Sequence, residues 1–207
     1  MRKIATGIAA ASALTLAAGA MAPVAMAADG NKSLAAVLTA ETPAFDRNWN
    51  DYDIVTAAVL AVLDAKPNSA VGVLAKGDVA LTAFIPSDRA FQTLVKDLTG
   101  SKPSTEARTF AAVAGLGGID LVETVLLYHV VPGATIDAAA ALKADDVYLE
   151  TGVRAIQVNV VRGPQIRLKD ADSGARNARV NVTDINKGNK QIAHGIDRVM
   201  RPIKLSK

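Results

Sequence analysis

The segment VALTAFIPSDRAFQTLV, residues 79–95, changes its hydrophobic period part-way along. Val79, Leu81, Ala83 and Ile85 alternate with Ala80, Thr82 and Phe84 as in a buried strand, and Pro86 ends the ladder because it has no N–H to donate. Ala90, Phe91, Leu94, Val95 and Leu98 then recur at helical spacing, and Ser87 or Asp88 can accept a backbone N–H at the helix start. A strand therefore passes directly into a capped helix. Ser87 beside Asp88 can also be read as a nucleophile with a carboxylate. The capping role is preferred, because sequence neighbours need not face each other and no histidine lies near.

Upstream the pattern is helical. In DYDIVTAAVLAVLDAKP, Ile54, Val55, Ala58, Val59, Val62 and Leu63 form one face, with Asp51 or Asp53 as the cap and Pro67 beyond the end. Downstream, a helix is expected over residues 105–114, and Asp120 with Glu123 has capping-box spacing for a short helix to Val125 or Leu126. The chain is then expected to enter a strand at YHVV, turn at Pro132-Gly133, and form one short Ala-rich helix capped by Asp137. From Val147 the signals are those of strands: VYLETG, RAIQVNVV, QIRLKD, ARVNVTDI and QIAHGIDRVMRPI, which predict an antiparallel sheet. Helices first and strands later indicate an α+β class, and the absence of repeats and Pro-rich linkers makes one domain over residues 28–207 the economical reading.

Residues 1–27 have Arg2 and Lys3, an Ala-rich apolar run and Ala25-Met26-Ala27, the pattern of a cleaved secretory signal peptide rather than a retained anchor. Its composition points to a bacterial source, and to a mature protein free outside the cell or loosely held at its wall. No later segment is long and apolar enough to span a bilayer. With no cysteine, packing must replace disulfides, and thiolate zinc sites and cysteine nucleophiles are excluded. Residues 28–150 carry 9 Lys/Arg against 16 Asp/Glu, net −7, whereas residues 151–207 carry 12 against 4, net +8. The two halves either offset each other within one domain or leave a basic face for an anionic polymer.

Three segments resemble the fasciclin-like domain. LTAFIPSDRAF is similar to that family's box T-x-F-x-P-[ST]-[ND]-x-A-F through Thr82, Phe84, Pro86, Ser87, Asp88, Ala90 and Phe91. LLYHVVPG matches its Tyr-His segment at Tyr128 and His129. IAHGIDRVMRPI resembles its closing box through His194, Ile196, Asp197, Val199 and Pro202. This last box departs from the pattern, with Gly188-Asn189-Lys190-Gln191 one residue longer than the usual Asn-Gly and Ala193 where a larger apolar residue is usual, so an altered turn into the last strand is expected. The resemblance covers residues 31–203 and implies a wedge-shaped β-sandwich of about seven strands with several short helices. It also implies a non-enzymatic adhesion module, in which the Tyr-His segment and an Asp-Ile pair, here Asp184 and Ile185, serve adhesion. There is no Arg-Gly-Asp.

Neither histidine is read as catalytic, since no HxxxH, HxH or HExxH metal spacing and no G-x-S-x-G serine is present. Instead His129 is expected on a buried strand, its nitrogens satisfied by a backbone carbonyl or a hydroxyl, tying two elements together. Tyr128 and His129 on one strand would point to opposite faces. Arg154, Arg162, Arg167, Lys169, Arg176 and Arg179, with Lys187 and Lys190, are candidates to meet acidic glycans or wall polymers. Export and the lack of interleaved aromatics argue against nucleic acid. The expected partner is a cell-surface or matrix protein or an anionic polysaccharide. No cofactor, metal or oligomeric state is implied; a carbohydrate or small-ligand binding protein is the alternative, and a hydrolase the third reading.

Overall fold

The structure, a computed structural model, describes residues 30–41 and 45–205, so the signal-peptide reading of residues 1–27 lies outside the described residues. The alternation at its centre becomes strand β1 (Leu81–Pro86), every residue of which is buried. Two-sided burial follows from its place inside the sheet, antiparallel to β2 (Val130–Pro132) and parallel to β7 (Gln191–Ile196). Period-two alternation then sorts its side chains into two cores: Leu81, Ala83 and Ile85 enter one, Phe84 the other. Pro86 still aligns with Ile196 as the last rung, where a missing N–H costs nothing; the next N–H, of Ser87, reaches the Ile196 carbonyl at 3.1 Å.

The remaining strands are β3 (Tyr148–Leu149), β4 (Ile156–Val161), β5 (Gln165–Lys169) and β6 (Ala178–Ile185), and the sheet order is β2-β1-β7-β6-β5-β4-β3. The strands after Val147 pair antiparallel with one another as expected, and the one parallel pairing, β1–β7, joins them to β1 in a mixed sheet. β6 is the bend. Ala178 and Arg179 pair with β5, whereas Val180–Ile185 pair with β7 through two register shifts. One half of the sheet is covered by α1 (Leu34–Glu41), α2 (Asp53–Ala65), α3 (Asp88–Thr99), α4 (Glu106–Gly115) and α5 (Gly118–Tyr128), whose residues Ile54, Val59, Phe91 and Leu126 build the first core. The second core, with Phe84, Tyr128, Ile156, Leu168 and Met200, lies within the other half, closed by α6 (Ala138–Ala141). This is the expected α+β class with seven strands. Among the described residues no single helix is long and apolar enough to cross a membrane.

Several local expectations change. Asp137 does cap α6 and Thr105 caps α4, but α2 follows Tyr52 with no side-chain cap bond, and Ser87 makes none at α3. Asp88 instead accepts the Ile54 N–H at 2.9 Å, capping the neighbouring helix rather than its own. α5 begins at Gly118, before Asp120, so Asp120 and Glu123 lie inside the helix, where both pair with Lys66 and fasten α5 to the end of α2. It runs on through Tyr128, so YHVV does not open as a strand.

The longer turn before β7 is used rather than merely tolerated. Asn189 accepts the Lys32 N–H at 2.9 Å, Gly30 bridges to Asn189, and Gln191 accepts the Leu34 N–H and donates to the Val73 and Lys76 carbonyls, each at 2.8 Å. β7 survives as expected. Gln191 is fully buried, so Gln191→Ala strands the Leu34 N–H and leaves the Val73 and Lys76 carbonyls with one backbone donor each. It is expected to cost about 3 kcal/mol, read as a lower urea midpoint, whereas an exposed Arg162→Ala control leaves the midpoint within error.

Candidate functional site

Tyr128 is the last residue of α5 and His129 its C-cap, 0% and 4% exposed. Being on a helix end rather than a strand, they do not point to opposite faces of a sheet; both rings turn inward, edge to face at 6.3 Å. His129 Nδ1 lies 2.7 Å from the Val125 carbonyl, which can only accept, so Nδ1 carries the hydrogen. Nε2 is therefore free to accept the Met200 N–H at 2.9 Å. The Tyr128 hydroxyl accepts the Ala171 N–H at 3.1 Å. Burial pushes the His129 pKa down to about 4, so the ring is neutral at neutral pH.

His194 has the opposite tautomer. Its Nε2–H donates to the Ile136 carbonyl at 2.8 Å and Nδ1 accepts the Asp184 N–H at 3.3 Å, while the ring stacks on Phe84 at 5.8 Å. Burial lowers its pKa too. Asp184 sits in the β6 bulge with φ +61°, its carboxylate accepting the Ala138 N–H and pairing with Lys187, both at 2.8 Å. Burial alone would raise the Asp184 pKa, but Lys187 and the Ala138 N–H hold it below the ordinary value. Ile185 is half-buried against the first core. Both imidazoles thus spend both nitrogens on backbone groups. The void beside His129 is about 30 Å³ and apolar, room for about one water.

The open concavities are basic. In β5, Ile166 and Leu168 point into the second core and leave Arg167 and Lys169 outside. Arg167 stands directly opposite Arg179 of β6, the following loop adds Arg176, and the closing segment adds Arg198, around a groove of about 610 Å³ that also holds Asp170 and Asp197. A second recess of about 530 Å³ shares Arg176 and Arg198 and adds Arg201 and Lys204. Arg179 pairs with Asp197 at 3.5 Å, and Arg198 and Arg201 with Asp97 at 3.4 and 3.0 Å. Among the described residues Arg167, Lys169 and Arg176 have no ion pair.

Four of the six basic candidates therefore meet. Arg162 lies at the β4–β5 turn and Arg154 between β3 and β4, donating to the Pro202 carbonyl at 3.1 Å; neither lines the groove. Arg198, which does, sits inside the closing box and was legible there as the residue after Asp197. Ser87 and Asp88 do not form a nucleophile pair: Asp88 is fully buried and belongs to a cluster with Asp53 and Glu106 at the N-terminal ends of α2, α3 and α4. Burial, with Asp51 beside them, pushes the Asp88 pKa up to about 8 and that of Asp53 to about 6. Sequence reading missed this cluster; its only linear trace is the alternation of oxygen-bearing side chains Asp46, Asn48, Asn50 before Asp51 and Asp53.

The sequence model of the Fasciclin domain family matches residues 56–202. Among solved structures, one described as "Novel Fold Revealed by the Structure of a FAS1 Domain Pair from the Insect Cell Adhesion Molecule Fasciclin I" is similar with a TM-score of 0.56 at 14% identity. It covers 83% of this chain and 51% of that one, so this chain spans about half its length. The likeness is one of fold. No curated protein matches.

His129→Ala leaves the Met200 N–H and the Val125 carbonyl unpaired beside a cavity and is expected to cost about 3 kcal/mol; an unchanged urea midpoint contradicts that role. The pH dependence has a definite sign. The unfolded chain takes up a proton near pH 6.5 and the native state only near 4, so this residue's contribution is full above pH 6.5 and is lost on acidification towards 4, by at most about 1.4 kcal/mol per pH unit. Subtracting the pH–stability curve of His129→Gln from that of the wild type isolates it.

Proposed function

The chain belongs to the fasciclin domain family, and on that premise we propose that it is a secreted or cell-surface adhesion module that holds an anionic matrix or cell-wall polysaccharide along the groove of Arg167, Lys169, Arg176 and Arg179. The observation that carries this reading is the Arg167–Arg179 pair. Like charges directly opposite on neighbouring strands destabilise a sheet, and only Arg179 has a carboxylate nearby. A polyanion lying across both strands offsets that repulsion by its own charge. The groove is open, polar and without aromatic lining, which suits a repeating charged chain better than a small apolar ligand or stacked bases.

Tyr128, His129 and Asp184 act in this reading by position. Tyr128 holds Ala171 of the loop that carries Arg176, His129 holds Met200 of the segment that carries Arg198 and Arg201, and Asp184 fixes the β6 bulge. The export pattern of residues 1–27 agrees with work outside the cell or at its surface.

The test is retention of the chain lacking residues 1–27 on dextran sulfate, with uncharged dextran as the control. Retention on dextran sulfate alone, weakening steeply with salt, is expected. The triple variant Arg167→Ala/Arg176→Ala/Arg179→Ala should bind at least about tenfold more weakly at low salt, and Arg162→Ala, outside the groove, should change little. Equal retention of the triple variant overturns the reading.

A further inference from the structure

We infer that the N-terminal ends of α2, α3 and α4 enclose a binding site for one divalent cation of calcium's class, with Asp53, Asp88 and Glu106 as inner ligands and Asp46 and Asp51 closing it from the preceding loop. Asp53, Asp88 and Glu106 are 4%, 0% and 1% exposed. One carboxylate oxygen from each lies within 4.8 Å of the others, and Asp46, Asp51 and Asp53 meet the same limit, so Asp53 stands in both groups.

The hydrogen bonds orient these groups inward. Asp88 Oδ1 accepts the Ile54 N–H and Glu106 Oε2 the Arg47 N–H, each at 2.9 Å. The other oxygen of each, both oxygens of Asp53, and Oδ1 of Asp51 are buried without a well-formed hydrogen bond, although the Asp46 backbone approaches Asp53 and Asp51 approaches Asp88. Among the described residues no lysine or arginine pairs with any of the five acids. Buried carboxylates without a countercharge or donor are costly. The positive ends of three helices explain why acids gather here, yet the Ile54 and Arg47 N–H groups reach only one oxygen each of Asp88 and Glu106.

The chemistry of the donors selects the ion. All are oxygens, which suit a hard cation. Five carboxylates from one loop and three helix starts can build the crowded oxygen shell of about six to eight ligands that calcium takes, whereas magnesium keeps several waters and is held by one or two carboxylates. Asp46-x-Asn48-x-Asn50 has the spacing of the first half of a calcium loop, but Asp51 takes the place of its glycine and Ala57 that of its last glutamate. Asp88 and Glu106, brought in from other helices, supply the missing carboxylates. The site is independent of the polysaccharide reading: Asp88 opens α3 and Asp97, which touches the basic recess, lies near its other end, about 14 Å away along the helix.

Trp49, the only tryptophan, lies in the loop between Asp46 and Asp51 and reports directly on it. The EDTA-treated, desalted chain is titrated with calcium chloride, following Trp49 fluorescence and the melting temperature, against sodium chloride at matched ionic strength. A saturable change with half-saturation at about 10⁻⁵–10⁻³ M and a rise of at least about 5 °C at saturation are expected. Asp53→Asn/Glu106→Gln should abolish both responses. Asp46→Asn, at an exposed position that leaves folding untouched, should weaken half-saturation several-fold and keeps the test open if the double variant does not fold. No response up to 10 mM calcium, an equal response to sodium, or an unchanged response in Asp46→Asn overturns the inference.

Discussion

The end of α5 is the constraint on which the rest of the molecule depends. At Tyr128 and His129 the chain leaves a helix, and two adjacent buried rings must find partners for three polar atoms at once. They find them in three directions: back along α5 at Val125, across to the 170s loop at Ala171, and into the closing segment at Met200. The His129 carbonyl adds a fourth, accepting the Phe84 N–H of β1 at 2.9 Å. One helix end therefore sets the spacing of a central strand, a surface loop and the C-terminal segment. A mobile or charged ring could not do this. The depressed pKa of His129 is the electrostatic counterpart of its role, because protonation would remove the acceptor that Met200 uses.

The bend at β6 turns that anchoring into a surface. Because β6 serves β5 at its start and β7 afterwards, outward residues of β5 and β6 lie beside the closing segment rather than being covered by helices. The charge asymmetry along the chain is resolved in two ways. Arg198 and Arg201 pair with Asp97 of the acidic half, which places cation and anion across the two halves. Arg167, Lys169 and Arg176 remain unpaired among the described residues, and part of the acidic surplus goes inside, to the ends of three helices. Neither full neutralisation nor a uniform basic face describes the result.

What was legible in the sequence followed how local each feature is. The junction at residues 81–91 and the strands after Val147 were readable because hydrophobic period depends only on which faces are buried. The end of α5 was misread because β-branched Val130 and Val131 lend a strand character to residues just before them, while helix termination is decided by His129 reaching elements distant in sequence. The same holds for Asp88, whose capping partner is 34 residues away. Of the basic candidates, those on alternating strand positions lie on the outer face of the sheet, but their convergence depends on the β5–β6 register, which no local pattern encodes. The acid cluster needed three helix ends to meet in space. Single-sequence reading sees Asp53 and Asp88 only as two separate caps.

α3 joins the two charged regions, and its charges run in an instructive order. Asp88 at its N-terminal end complements the helix dipole but is buried among other acids, while Asp97 in its last turn opposes the dipole and persists because Arg198 and Arg201 lie against it. The departure from helix-optimal charge at Asp97 has a tertiary cause. At one end carboxylates are concentrated beyond what backbone donors satisfy, and at the other a carboxylate orders two arginines at the rim of the groove. Packing explains the apolar face of this helix, but not why its two ends should carry these acids. That excess over packing is where the fold departs from a minimal scaffold.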